Sequence, residues 1–230
     1  MKRTFFSLVV ITALIASCTD APESDKATTS EAKEVSTSSD DPWKVETANS
    51  KIEWIGTKVS GYHTGEIPIK SGDLYVNDGN VSGGKFVLDV AGISVSGPKS
   101  VNAESNTKLL GHLKSADFFD VEKHPEATFE LTDIKPFQGN VSDTADPRQE
   151  EINEYKVGNP THTVSGNMTI KGVTKNIEFP ARITVNGDKA EAIAKFNINR
   201  KQWNIVYPGK PDDLIRDDIH LGIKIQAEKK

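Results

Sequence analysis

Few side chains in this sequence could carry a reaction, and their spacings argue against most of the reactions they could serve. Ser105-x-x-Lys108 has the spacing of a serine nucleophile beside a lysine base, with His63-Thr64-Gly65 upstream of it. Serine enzymes of that kind place these elements in the opposite order and also need a Ser-Asp-Asn element, which the chain lacks. Gly79-Asn80-Val81-Ser82-Gly83-Gly84-Lys85 has the spacing of a phosphate-binding loop. Phe86, however, stands where a hydroxyl must ligate magnesium, and strand-like sequence follows where a helix N-terminus is required. The segment reads as a hairpin turn. His63, His112, His124, His162 and His220 show no metal-ligand spacing, and a single cysteine excludes thiolate zinc clusters. Asp212, Asp213, Asp217 and Asp218 have the oxygens for calcium but lack the glycine-containing loop of an EF-hand, and a solvated loop explains them as well. No catalytic residue, metal or cofactor is assigned, and the expectation is a protein that is not an enzyme.

Cys18 is the exception, because its thiol has a chemistry that suits its place. Lys2 and Arg3 precede an apolar run from Phe5 to Ala16, and Leu14-Ile15-Ala16-Ser17-Cys18 resembles the bacterial lipobox, in which the thiol is diacylated and the leader is cut just before it. Residues 1–17 are read as a lipoprotein signal peptide, since the run falls short of the roughly 20 apolar residues that span a bilayer. A sole cysteine cannot form an intramolecular disulfide, and a free thiol is a liability in an oxidising compartment, so lipidation accounts for it. Several acyl chains, at about 0.8 kcal/mol per buried methylene, make a stable anchor. The expected location is the cell envelope, on the periplasmic side or at the cell surface, with the membrane as partner through the lipid anchor. From Thr19 to Asp41 the chain is almost wholly Ser, Thr, Ala, Lys, Asp and Glu, with Val35 its only large apolar residue. Residues 18–41 are therefore read as a lipidated cysteine and a disordered tether, with a random-coil reach of roughly 25 to 30 Å. The net charge of −5 becomes −7 once Lys2 and Arg3 leave with the leader. That balance excludes nucleic acid, whose binding needs a basic footprint.

The remainder, residues 42–230, has the length of one domain and no internal repeat. Its apolar pattern has a period of two. Ile177, Phe179, Ala181, Ile183 and Val185 alternate with mostly polar neighbours, as do Ala190, Ala192, Ala194, Phe196 and Ile198, and then Ile219, Leu221, Ile223, Ile225 and Ala227. Ile52 and Trp54, Phe86 to Val90, Ala127 to Leu131 and Val164 to Ile170 behave alike, and turn chemistry such as Asn77-Asp78-Gly79-Asn80 and Asn186-Gly187-Asp188 separates them. Many half-buried antiparallel strands in one domain make a sandwich or a barrel. A single helix is predicted between Asn102 and Lys114, where Leu109, Leu110 and Leu113 share a face and a polar opening supplies a cap. Followed by Phe118 and Phe119, it reads equally as a lid over an open end or as a helix that closes the core. Gly139 to Asn159 is polar and acidic without periodicity, and reads as a surface loop.

Taken in order, several segments resemble the YceI-like family of lipid- and polyisoprenoid-binding proteins. They are Ser50-x-Ile52-x-Trp54 leading to Lys58-x-x-Gly61-x-His63-x-Gly65, His112-Leu113-Lys114-Ser115-x-Asp117-Phe118-Phe119-Asp120, and His124-Pro125-x-Ala127-Thr128-Phe129. Val164-x-Gly166-x-Met168-Thr169-Ile170-x-Gly172-x-Thr174, then Phe196-x-Ile198-x-Arg200-x-x-Trp203, and a closing strand from Asp217 complete the set. The resemblance implies an all-β, antiparallel up-and-down, lipocalin-like barrel of about eight strands, with one short helix near a barrel end and an elongated apolar pocket. An isoprenoid, a polyprenol or a quinone-like lipid is the implied ligand. The residues expected to line the pocket are Trp54, Phe86, Leu88, Leu109, Leu113, Phe118, Phe119, Phe129, Leu131, Met168, Ile170, Phe179, Ile183, Phe196, Ile198, Ile219, Leu221 and Ile223. Lys58, His63 and Arg200 match the family's polar positions and are placed near a mouth. A homodimer is left open. The Gly139 to Asn159 insert and the Pro-rich turn Tyr207-Pro208-Gly209-Lys210-Pro211 depart from the family pattern and bear on the shape of one mouth. The rival readings are an envelope interaction or stress-response module with a packed interior, and a lipid hydrolase, for which no nucleophile and base pair is visible.

Overall fold

Alternating apolar and polar side chains commit each stretch to a strand with one buried face. The computed structural model of the protein describes residues 21–35, 42–98, 101–139 and 155–229. The signal peptide, Cys18 and most of the acidic excursion lie outside the described residues. The strands are β1 (Thr28–Glu31), β2 (Trp43–Val45), β3 (Lys51–Lys58), β4 (Gly61–Ile67), β5 (Ile69–Asn77), β6 (Asn80–Asp89) and β7 (Glu126–Pro136). β8 (His162–Ile170), β9 (Val173–Asn186), β10 (Lys189–Asn199), β11 (Gly209–Lys210), β12 (Asp213–Leu214) and β13 (Asp218–Glu228) follow. Helix α1 (Ala103–Lys114) lies between β6 and β7, and a 3-10 turn, Arg200–Trp203, follows β10.

Eight strands close a ring in the order β9, β8, β7, β6, β5, β2, β13, β10 and back to β9, each pair antiparallel. This is the expected lipocalin-like barrel with one short helix. The ring departs from a plain meander at one seam. Short β2 bridges β13 and β5 through Ala227↔Val45 and Trp43↔Leu74, whereas further along β13 pairs with β3, through Leu221↔Trp54. β3 pairs in turn with β4, whose free edge meets the segment Ser94 to Gly97 in place of β5. A Cβ on Gly65 would lie 1.8 Å from the Ser94 carbonyl oxygen, so only glycine lets the two backbones approach.

The local predictions hold where they rest on turn and cap chemistry. Asn102 caps α1, its side chain accepting from the Ser105 N–H at 2.8 Å. Asp78 and Gly79, both at positive φ (48° and 75°), make the two-residue turn of the β5–β6 hairpin, so the glycine-rich run is a turn and the start of a strand.

The tether reading is corrected over residues 21–35. β1 pairs with β9 from Thr28↔Glu178 to Glu31↔Lys175, and Lys26 bridges Asn197 of β10 in parallel. The segment fills the gap where β9 and β10 part, beyond Ala194↔Ala181. Composition argues disorder by counting apolar burial, and apolar burial is not what holds this segment. Backbone pairing and buried amides hold it instead. Asn167 accepts from the Lys33 N–H (3.0 Å) and donates to the Lys33 carbonyl (2.6 Å), and Asn197 donates to the Pro22 carbonyl (2.9 Å). Beneath it Ser165, Asn167, Asn176, Asn197 and His220 are all buried on the outer barrel wall.

Candidate functional site

A barrel of eight strands is just wide enough to fill with side chains or to hold one slim ligand, and side-chain size decides which. The inward positions of β10 begin with Ala190, Ala192 and Ala194, before Phe196 and Ile198, and Ala194 faces Ala181 across the β9 pairing. Against this low wall stand Phe86, Phe129, Phe179 and Phe196, in ring contact with centroids 6.3, 5.9 and 4.1 Å apart along the series. The alanines leave a chamber of about 90 Å³, lined by apolar side chains and Glu191. Toward the α1 end lies a larger cavity of about 480 Å³. Ile52, Leu88, Met168 and Ile223 line both, so the two volumes adjoin along the barrel. The interior is hollow, and the larger volume lies within the range of small-molecule sites.

All eighteen apolar side chains expected to line a pocket do line one of these two volumes. Phe86, Phe129, Leu131, Phe179, Ile183 and Phe196 face the inner chamber, Leu88, Met168 and Ile223 face both, and the other nine face the larger cavity. α1 presents Leu109, Leu113, Ser105, Lys108 and His112 to that cavity. It is tied down by His112, which contacts Asp117 (3.1 Å) and packs edge-on against Phe118 and Tyr207. The helix therefore sits over the open end of the barrel. Trp203, part of the family-like segment but absent from the expected lining, is fully buried, lines the same cavity and donates from Nε1 to the Met168 carbonyl at 3.0 Å. Its signal was the Arg200-x-x-Trp203 spacing. The Pro-rich turn lies at this mouth, where Lys210 lines the cavity. The acidic insert leaves from the other end, beyond Pro136, whose strand begins at the mouth with Ala127 and passes the inner chamber at Ile134.

Lys58, His63 and Arg200 all line the larger cavity, but two of their charges are already matched. Lys58 is paired with Asp213, which also accepts from the Ser60 N–H and hydroxyl. The Lys58 ammonium holds the Asp213 carboxyl below the usual carboxylate range. Arg200, 4% exposed, donates to the carbonyls of Ile205 (2.6 Å), Arg216 (3.1 Å) and Ile215 (3.5 Å) and to Asp217 (3.2 Å). Burial lowers its pKa and Asp217 opposes that shift. Arg200 stitches the 205–217 excursion to the barrel. Burial, with Lys58 adding to it, pushes the His63 imidazole below its ordinary value, against the pull of the Gly97 carbonyl, Asn106 and Asp213. Among the described residues four buried polar atoms here make no hydrogen bond of good geometry: Trp54 Nε1, Thr57 Oγ1, His63 Nδ1 and Asn106 Oδ1, the last two on side chains close enough to interact weakly with each other. Trp54, Thr57 and His63 line the larger cavity, and Asn106 lies one residue from Ser105, which also lines it. Unpaired buried polar groups are costly, so such a cluster calls for a partner that supplies both a donor and an acceptor. Three of the four aspartates weighed as calcium ligands are engaged in ion pairs: Asp213 with Lys58, Asp217 with Arg200 and Lys201, and Asp218 with Lys26.

A closed antiparallel barrel with a hollow apolar interior and a helix over one end defines a lipocalin-like class of protein. Within it, the YceI-like domain model matches residues 43–227, and the chain belongs to that family. It is similar to a UPF0312 protein of Pseudomonas putida, 27% identical over 154 residues that make up 64% of this chain and 70% of the relative. A UPF0312 protein of Pectobacterium atrosepticum is 32% identical over 122 residues, 50% of this chain and 51% of the relative. Among solved structures, Burkholderia cenocepacia BcnA superposes with a TM-score of 0.58 at 18% identity, over 80% of this chain and 99% of that one. A polyisoprenoid binding domain from Saccharophagus degradans superposes with a TM-score of 0.56 at 10% identity, over 82% of this chain and 98% of that one. These two likenesses are likenesses of fold.

Proposed function

We propose that this protein binds an apolar chain lipid, an isoprenoid or a lipid of similar shape, and carries or stores it without catalysing a reaction on it. The observation that carries the reading is the pair of adjoining apolar volumes, which end at the mouth in a small cluster of unpartnered polar atoms. Burying an isoprene unit of five carbons is worth on the order of 4 kcal/mol gross, so a few units suffice for binding and the cavity's length limits the chain. The polyisoprenoid-binding domain of Saccharophagus degradans, which shares the fold, supports the same ligand class.

The mouth favours an uncharged head. Of the four lysine and arginine side chains lining the larger cavity, Lys58, Lys108 and Arg200 are already in ion pairs. A phosphate would find only Lys210 without breaking such a pair, whereas a hydroxyl or a quinone carbonyl with an adjacent donor could satisfy atoms of the Trp54, Thr57, His63 and Asn106 cluster. The setting proposed is the cell envelope, with the chain anchored through acylated Cys18. The test is a titration of detergent-solubilised protein with a prenyl alcohol and the prenyl phosphate of equal chain length. The alcohol is expected to bind at least as tightly, and Thr57→Val with His63→Leu should remove that preference. A phosphate bound tenfold more tightly would overturn the neutral-head reading, and binding of neither would overturn the carrier reading.

A further inference from the structure

Among the described residues five large apolar side chains face solvent: Val35 (40% exposed), Val59 (37%), Tyr62 (44%), Val206 (59%) and Leu214 (46%). Four of the five belong to two strips at the cavity mouth, the β3–β4 turn and the 205–216 excursion. The strips are joined by the Val59 N–H donating to the Leu214 carbonyl (3.2 Å) and by the Lys58↔Ile215 bridge. The same strips turn Lys58, His63, Ile205 and Ile215 inward to line the larger cavity. Isolated exposed apolar side chains are ordinary on a protein surface, but a group of them around the opening of an apolar cavity marks an interaction surface.

We propose that this rim is a membrane-contact surface. The open end of the barrel rests on a lipid bilayer, with Val59, Tyr62, Val206 and Leu214 in the boundary between headgroups and acyl chains. An apolar chain then passes between bilayer and cavity without crossing water. Tyrosine suits that boundary, having an apolar ring and a polar tip. The path of the N-terminal segment favours a bilayer over another protein. Pro22 is held on Asn197, and Lys26 on Asp218, the first residue of β13, so the segment meets the barrel in the half that carries the mouth. Three residues lie between Cys18 and Pro22, so the two are at most about 14 Å apart. With Cys18 acylated, so short a link keeps this half of the barrel close to the bilayer, closer than a free tether with a reach of roughly 25 to 30 Å would. The proposal rests on the carrier reading for its purpose, although the contact itself can be tested without cargo.

The test uses the full chain on phosphatidylcholine vesicles, comparing the parent with a Val206→Asp, Leu214→Asp variant and with a Val59→Asp, Tyr62→Ser variant. Hydrogen exchange should slow at residues 58–63 and 205–215 when vesicles are added to the parent, and should not slow in either variant. Transfer of a fluorescent prenyl alcohol from vesicles to the protein should fall about tenfold or more in the variants. Its equilibrium binding in detergent should stay within about twofold, as expected if exposed side chains are changed and the fold kept. Absence of rim protection in the parent overturns the proposal. So does a protein dimer in solution that the same substitutions dissolve, which would assign the rim to a second copy. If the prenyl alcohol fails to bind in detergent, the carrier reading falls, and the exchange measurement still decides the membrane contact.

Discussion

Replacing Ala192 with leucine should stabilise the empty protein and weaken its grip on a long ligand, and this opposition of sign follows from the inner chamber alone. Ala192 lines the 90 Å³ chamber on the low β10 wall and pairs with Ile183 and Ile225 on the neighbouring strands. Leucine adds three carbons, about 2 kcal/mol at 0.8 per carbon. Filling a void of 90 Å³ at about 24 cal/mol per Å³ gives about the same. The melting temperature of delipidated protein should therefore rise by about 5 °C. A ligand chain that reaches the chamber loses the room of about one isoprene unit, roughly 4 kcal/mol or a thousandfold in affinity. Chains short enough to end in the larger cavity should bind as before. The assay is thermal unfolding of delipidated parent and variant, followed by competition binding with prenyl alcohols of increasing length. A melting temperature lowered by several degrees would mean that the chamber is already filled. An unchanged affinity for the longest chains would mean that the ligand never reaches Ala192.

Other consequences follow from the same contacts. Arg200→Leu strands the carbonyls of Ile205 and Arg216, and should cost about 3 kcal/mol and lower the melting temperature by about 10 °C; a headgroup ligand with no structural role would leave it unmoved. His220 is buried under Tyr155 beside Asn197, and burial, with help from Lys195, lowers its pKa to about 4. The fold favours the neutral ring, so the stability it adds is complete above the unfolded value near 6.5 and is lost as pH falls toward 4. The loss is on the order of 3 kcal/mol, read as a urea midpoint that drops between pH 7 and pH 4.5 and drops less in His220→Gln. Asn167→Ala removes both bonds to Lys33, and should open residues 28–31 to hydrogen exchange and the bonds after Lys26 and Lys33 to trypsin, with the barrel amides still protected. Gly65→Val meets the Ser94 carbonyl and should either fail to fold or expose the 94–97 segment to exchange.

Patterns that depend on near neighbours were legible in the sequence. Six of the eight ring strands, β6 to β10 and β13, followed from period two, the β5–β6 turn from Asp78-Gly79 and the α1 cap from Asn102, because each is decided within a few residues. The hollow was legible at Ala190, Ala192 and Ala194 only with a family resemblance beside them, since the same pattern also builds packed cores. Polar roles at the mouth were not legible. Lys58 meets Asp213 across 155 residues of chain, and Arg200 spends its donors on backbone carbonyls that no spacing announces. The docked N-terminal segment was hidden because its side-chain partners Asn167 and Asn197, and Asn176, which bonds Asn167, look like solvent-facing strand positions. Three asparagines in strands, where that residue is depleted, were the available signal.

The central claim is that the barrel's interior is a place for an apolar chain. It is tested most directly by extracting full-length protein, purified without denaturant, into organic solvent and identifying the released lipid by mass spectrometry, beside an Ile223→Trp variant that blocks the junction of the two volumes. About one long apolar lipid is expected per parent chain, and far less from the variant. A parent that yields none, both as purified and after incubation with prenyl lipids, would contradict it.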